Sequence, residues 1–149
     1  MMRDIPGRPD LKIVPTLDGD EEVLQMKAGM LFVCEGCCCG NGYSFPRIEK
    51  AHYLRESRRR GISEHVSIVF TADDGGGCLG PCGLGNNAFM YLFGRGLWFQ
   101  HLNSKADIDA LFSYLEDSIR LGQPAPIEGS LAQRVYTRVQ GEQIPVAAT

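Results

Sequence analysis

Met30-Leu31-Phe32-Val33 runs straight into Cys34-Glu35-Gly36-Cys37-Cys38-Cys39. A short apolar run rich in strand formers, ended by a glycine-rich segment, predicts a buried strand with a loop after it. Gly36, Gly40 and Gly42 allow that loop to turn tightly and approach a ligand. Further along, His65-Val-Ser-Ile-Val-Phe-Thr71 predicts a second strand, followed by the loop Asp73-Asp-Gly-Gly-Gly77 and Cys78-Leu79-Gly80-Pro81-Cys82. All six cysteines of the chain lie in these two patches.

Between the two strands, Phe45-Pro46 opens a predicted helix to about Arg60. Its apolar stripe is Ile48, Ala51 and Leu54, Pro46 suits the first turn, and Gly61 is the stop signal. Arg47, Lys50, Arg55 and Arg58 to Arg60 outnumber Glu49 and Glu56 on this segment, giving a basic face on an otherwise acidic chain. Such a face is either a solvated helix surface or a docking patch for an acidic partner.

After the second patch, Asn87-Ala-Phe-Met-Tyr-Leu-Phe93 and Leu97-Trp-Phe-Gln-His-Leu102 predict a third and a fourth strand. Gly94-Arg95-Gly96 is the turn of their antiparallel hairpin. Ser104 with Asp107 resembles a capping box, and Ile108, Leu111, Phe112, Leu115 and Ile119 share one helical face ending before Gly122 and Pro124. Trp98 and Phe99 are expected in the core or at a dimer interface. Three regions follow: an arm over 1–28 with Leu11–Val14 as a short edge strand, a domain over 29–123, and a tail over 124–149 with a short helix around Leu131 and Val135.

The chain has 149 residues, 44% apolar and 22% charged, enough to bury about 68–70% of its unfolded surface without cross-links. A net charge of −3 and a pI near 5.6 speak against nucleic-acid binding. The opening Met1 to Arg8 carries no apolar run of signal-peptide type. No stretch approaches the ~20 apolar residues of a membrane span. A cytoplasmic protein is expected, and there clustered cysteines mean a metal or redox centre more often than disulfides.

Four thiolates form a soft ligand set that favours iron–sulfur, zinc or Cu(I). The first patch offers Cys34 with Cys39 as C-x4-C and Cys34 with Cys37 as C-x2-C. The second patch is C-x3-C, which suits zinc knuckles less well. Cys34-Glu-Gly-Cys37 also fits a dithiol oxidoreductase, although that reading leaves Cys78 and Cys82 unexplained. His52, His65 and His101 are scattered, with no pair beside the cysteines, so histidine ligation is not expected. Gly75-Gly-Gly77 lacks the lysine of a phosphate loop, and no Ser/His/Asp arrangement is identifiable.

Strand, helix, strand, hairpin, helix resembles the skeleton of a thioredoxin-like α/β fold, a four-stranded mixed sheet flanked by helices. Its first two strands would be parallel through a right-handed crossover. Both cysteine patches would then follow the C-terminal ends of neighbouring parallel strands, where α/β sheets place their sites. Cys-x4-Cys followed by Cys-Leu-Gly-x-Cys is similar to the ligand pattern of thioredoxin-like [2Fe–2S] ferredoxins. The closer resemblance is to those associated with cobalamin biosynthesis, in Val33-Cys-Glu-Gly-Cys-Cys-Cys-Gly40, Arg58-Arg-Arg-Gly61 and Cys78-Leu-Gly-Pro-Cys-Gly-Leu-Gly-Asn86. It covers roughly residues 30–121. The resemblance implies one [2Fe–2S] cluster on Cys34, Cys39, Cys78 and Cys82, with Cys37 and Cys38 as alternates. It further implies amides brought close by Gly36, Gly40, Gly80 and Gly83, and a non-enzymatic electron carrier that dimerises, meets a redox partner protein and serves cobalamin or tetrapyrrole metal chemistry. The alternatives are a non-redox zinc-binding or metal-delivery protein and a dithiol oxidoreductase using Cys34 and Cys37.

Overall fold

The computed structural model describes residues 1–25, 27–35, 39, 45–71, 79 and 85–136. Cys37, Cys38, Cys78 and Cys82, the loop 73–77 and the glycines at 36, 40, 42, 80 and 83 lie outside the described residues, as does the tail beyond residue 136.

The protein is mixed α/β, with a three-stranded and a five-stranded sheet. Strand β4 (Gly29–Val33) is central in the larger one. It pairs in parallel with β5 (Val66–Phe70) and antiparallel with β6 (Ala88–Leu92). β6 pairs antiparallel with β7 (Arg95–Phe99), and β8 (Val135–Tyr136) closes the order β5-β4-β6-β7-β8. The sheet thus has five strands, not the expected four, because a piece of the C-terminal segment adds an edge. The Gln100 amide donates to the Arg134 carbonyl (2.7 Å), which extends that pairing. The hairpin turn falls at Phe93-Gly94, one residue earlier than expected. Leu92 faces Arg95 across a two-residue loop, and both loop residues have positive φ (47° and 83°), as the right-handed strand twist prefers.

Residues alternate sharply along these strands. Leu31, Val33, Ala88, Met90, Leu92, Leu97 and Phe99 are buried on one face. That face carries both long helices, α1 (Lys50–Arg59) and α2 (Lys105–Leu121). The other face exposes Met30 and Tyr91 and carries the half-buried row Phe32, Phe89, Trp98 and Tyr136, with neighbouring rings 4.8 to 6.1 Å apart. Among the described residues, these two helices cover the sheet on one side. Phe99 is in the core, whereas Trp98 belongs to the aromatic row.

α1 begins four residues later than expected. A helix starting at Pro46 would hand its carbonyl to an amide one turn on. Here that carbonyl accepts from Asn86 Nδ2 (2.6 Å). Of the expected stripe only Ile48 packs against the core: Ala51 and Leu54 are exposed, and His52, Tyr53 and Ser57 face inward. Tyr53 offers the larger apolar area, packing edge-on against Phe70 (5.7 Å) and Phe112 (6.1 Å). Ser57 hides its hydroxyl by donating to the Leu54 carbonyl (2.9 Å). The helix ends as expected, with Gly61 left-handed at φ 71°.

α2 matches its sequence signals. Ser104 Oγ accepts from the Asp107 amide (3.1 Å), and Asp107 Oδ2 accepts from the Ser104 hydroxyl (3.0 Å) and the Asn103 amide (3.2 Å). Gly122 closes the helix at φ 72°. Beyond it, Ala125 and Ile127 join the core, as does Leu131 of the short helix α3 (Gly129–Ala132). Ser118 Oγ ties this segment down by accepting from the Ala125 amide (3.0 Å).

Residues expected as an arm instead form the smaller sheet. β1 (Arg3–Ile5), β2 (Arg8–Pro15) and β3 (Glu21–Gln25) make an antiparallel meander. Pro6-Gly7 supplies the first turn, with Gly7 at φ 76°. Thr16 supplies the second: its amide donates to the Asp20 carbonyl (2.9 Å) and its Oγ1 accepts from the Asp20 amide (3.1 Å). Ion pairs Arg3–Glu21 and Lys12–Asp4 lie across the sheet. No described residue of this sheet is buried.

Candidate metal centre

Val33 and Phe70 are register partners at the C-terminal ends of the parallel strands β4 and β5. The chain leaves the sheet side by side at these two points. The Thr71 amide donates to the Val33 carbonyl (3.1 Å), and the Thr71 hydroxyl both accepts from the Glu35 amide (2.9 Å) and donates to the Glu35 carbonyl (3.2 Å). The chain thus departs toward both patches from one clasp.

The two segments also return together. Phe45 lies directly on Gly85: a Cβ at residue 85 would fall 1.8 Å from the Phe45 ring. The Asn86–Pro46 bond follows immediately. Asn86 is left-handed (φ 50°), a conformation that asparagine tolerates. The amides of His101 and Leu102 then donate to the carbonyls of Gly85 and Asn86 (3.1 and 3.0 Å).

Within this frame Cys34 and Cys39 are each 3% exposed. Cys34 is fixed by its amide, which donates to the Asn87 carbonyl (3.1 Å). Its Sγ accepts from the amide of Leu79 (3.2 Å), the sequence neighbour of Cys78. This contact brings a residue of the second patch onto the first. Cys39 Sγ accepts from Asn87 Nδ2 (3.2 Å). The Cys39 thiol is lowered to about 6, chiefly by a hydrogen bond with Cys34. Burial opposes that shift, and the amides of Asn87 and Asn86 and the Asn87 side chain support it. A sulfur in this setting favours the thiolate, the form that binds metals.

The predicted ligands Cys34 and Cys39 therefore come together; Cys78, Cys82, Cys37 and Cys38 fall outside the described residues. Around the pair, a cavity of about 160 Å³ opens beside Cys34, lined by Glu35, Lys50, Tyr53, Phe70 and Asn87 among others. Lys50 Nζ pairs with Glu35 Oε2 (3.4 Å) and lies 5.3 Å over the Phe70 ring. Burial, with the negative charges of Glu35 and Cys39, pushes the Tyr53 phenol up, so it stays neutral.

Sequence reading missed Asn87, Thr71 and Phe45. The visible signal for the first is Asn86-Asn87 directly before an apolar strand, where a polar pair must find partners. The expected basic face is divided. Arg60, with a side chain only 12% exposed, donates Nη1 to Glu116 Oε1 (2.9 Å) and Ser113 Oγ (3.1 Å) on α2. Arg59 pairs with Glu56 (2.5 Å), and Arg55 and Arg58 remain exposed.

Among the described residues no helix is long and apolar enough to cross a membrane. The chain matches no family model, no curated protein and no solved structure.

Proposed function

We propose that the chain is a small electron-transfer protein of thioredoxin-like fold holding one [2Fe–2S] cluster on Cys34, Cys39, Cys78 and Cys82. The observation that carries this reading is the pair of N–H donors, Leu79 N and Asn87 Nδ2, aimed at the sulfurs of two buried, adjacent cysteines. Sulfurs that hold a cluster are charged thiolates, and donors of this kind both hold them and tune them. The soft donor set fits the group, and the connectivity β4-α1-β5, then the β6–β7 hairpin, then α2 fits the fold. When bound, such a cluster takes up and releases one electron at a time.

The chain's own residues perform the remaining tasks. The clasp of Thr71 and Glu35 and the Phe45–Gly85 contact hold the ends of both cysteine-bearing segments beside the sheet. Tyr53 and Phe70 wall the cysteine pair with apolar surface, while Lys50 and Glu35 balance charge at the rim. Exposed Arg55 and Arg58 form the face on which an acidic redox partner docks, and the open aromatic side of the sheet is the surface for a second copy. A cytoplasmic role in cobalamin or tetrapyrrole metal chemistry completes the proposal, on the strength of the motif resemblance.

Anaerobic purification tests it. Equal iron and acid-labile sulfide, visible absorption, and an EPR signal on one-electron reduction are expected. A colourless protein with stoichiometric zinc after anaerobic reconstitution with iron and sulfide overturns it. Single Cys→Ser changes at 34, 39, 78 and 82 should each abolish the visible spectrum, and those at 37 and 38 should not.

A further inference from the structure

We propose that α1 and α2 together hold a metal site separate from the cysteines, in which His52, Glu56 and Asp109 bind a divalent cation of the zinc class. His52 and Glu56 are one helical turn apart on α1, hence on one face, and Asp109 meets them from α2. Their candidate ligand atoms all lie within 4.8 Å of one another. His52 is only 6% exposed, yet neither ring nitrogen makes a hydrogen bond. Asp109 Oδ1 is a buried atom in the same condition. A neutral imidazole carries one donor and one acceptor, and leaving both idle in a buried place is rare without a missing partner.

Distance points to what that partner is. His52 Nε2 and Asp109 Oδ1 are 3.5 Å apart. Ligands about 2.1 Å from a tetrahedral ion lie about 3.4 Å from each other. This pair already has the spacing of two ligands on one ion, and a Glu56 carboxylate oxygen lies within 4.8 Å of both. One imidazole with two carboxylates is a borderline-to-hard donor set, suited to zinc-like ions and distinct from the soft thiolates of the other centre.

The surroundings orient these ligands. Arg59 Nε donates to Glu56 Oε2 (2.5 Å). Arg60 Nη1 is drawn to Glu116, Ser113 and the Asp109 carbonyl (3.4 Å), leaving Nη2 3.6 Å from Asp109 Oδ1 and Nε 3.8 Å from Glu56 Oε2. The guanidinium is thus anchored on its far side and faces the carboxylates without closing on them. With Arg59, Arg60 and Glu116 counted, the cluster is near neutral, and a bound dication would clasp the two helices over the core.

Titration of the full-length protein with Co2+ and then Zn2+ decides the matter. Thiolate-bound cobalt gives a sulfur-to-metal charge-transfer band and an imidazole–carboxylate site does not, so the outcome is independent of what the cysteines bind. The expected result is a class of cobalt binding without that band, displaced by Zn2+. That class should weaken at least about tenfold in Glu56→Gln, Asp109→Asn and His52→Ala. The two near-isosteric changes keep the test valid if His52→Ala fails to fold. Absence of such a class, or its persistence unchanged in Asp109→Asn and Glu56→Gln, overturns the proposal.

Discussion

Asn87 touches both buried cysteines at once. Its Nδ2 donates to the sulfur, and its backbone fixes Cys34 at the same time. Removing only the side chain in Asn87→Ala should raise the Cys39 thiol slightly, because Cys34 and the backbone amides of Asn86 and Asn87 still hold it down, whereas Cys34→Ala should raise it further; both are read as shifts of the alkylation-rate profile to higher pH in the reduced, metal-free protein. Stability should follow the same group. The folded-state value, about 6, lies below the ordinary 9.0, so the unfolded chain binds the proton more tightly between these limits. The contribution of Cys39 is complete above the ordinary value and is lost as pH falls toward 6. The denaturation midpoint of the metal-free protein should therefore rise from pH 6 to 9, and Cys39→Ser should flatten that rise.

Among the elements, α2 offers the plainest forecast. Ser104→Ala removes the acceptor for the Asp107 amide and should cost about 1 kcal/mol in a denaturant titration. Strand β4 is far less forgiving. A Cβ on Gly29 would lie 1.9 Å from the Tyr91 carbonyl oxygen, inside the β4–β6 ladder. Gly29→Ala should cost at least about 3 kcal/mol by the same measurement. The parallel pair, the hairpin and α2 were legible because each has a local cause: β-branched runs, positive-φ turn residues, a capping serine. The start of α1 was not, since Asn86 captures the Pro46 carbonyl from 40 residues away. Nor was the inward face of α1, where Tyr53 wins over Ala51 and Leu54 only because Phe70 and Phe112 wait for its ring. In the site, the cysteine spacing stood out, but the role of Asn87 depends on its place at the root of β6. The smaller sheet left a weak signal because backbone pairing and surface ion pairs hold it, with no buried face among its described residues to imprint on the sequence.

For the molecule as a whole, that smaller sheet is a separate matter from the core. Among the described residues, the buried cluster takes none from 1–25. Deleting that segment should move the stability of the remainder by less than about 1 kcal/mol, with the unfolding transition still cooperative in calorimetry. The core draws instead on the C-terminal side through Ile127 and Leu131, so Ile127→Ala should cost about 2–5 kcal/mol. The frame around the cysteines has a consequence in polymer terms. Thr71 with Glu35 at one end, and Phe45 with Gly85 at the other, fix the end-to-end distance of each cysteine-bearing segment before any ligand is bound. The entropy of a chain joining two fixed ends changes only with the logarithm of its contour length. Each doubling of such a segment costs about 0.6 kcal/mol. Glycines inserted between Asp74 and Gly75 should accordingly leave the protein folded, making segment length a quantity that can drift while the sheet beneath it stays the same.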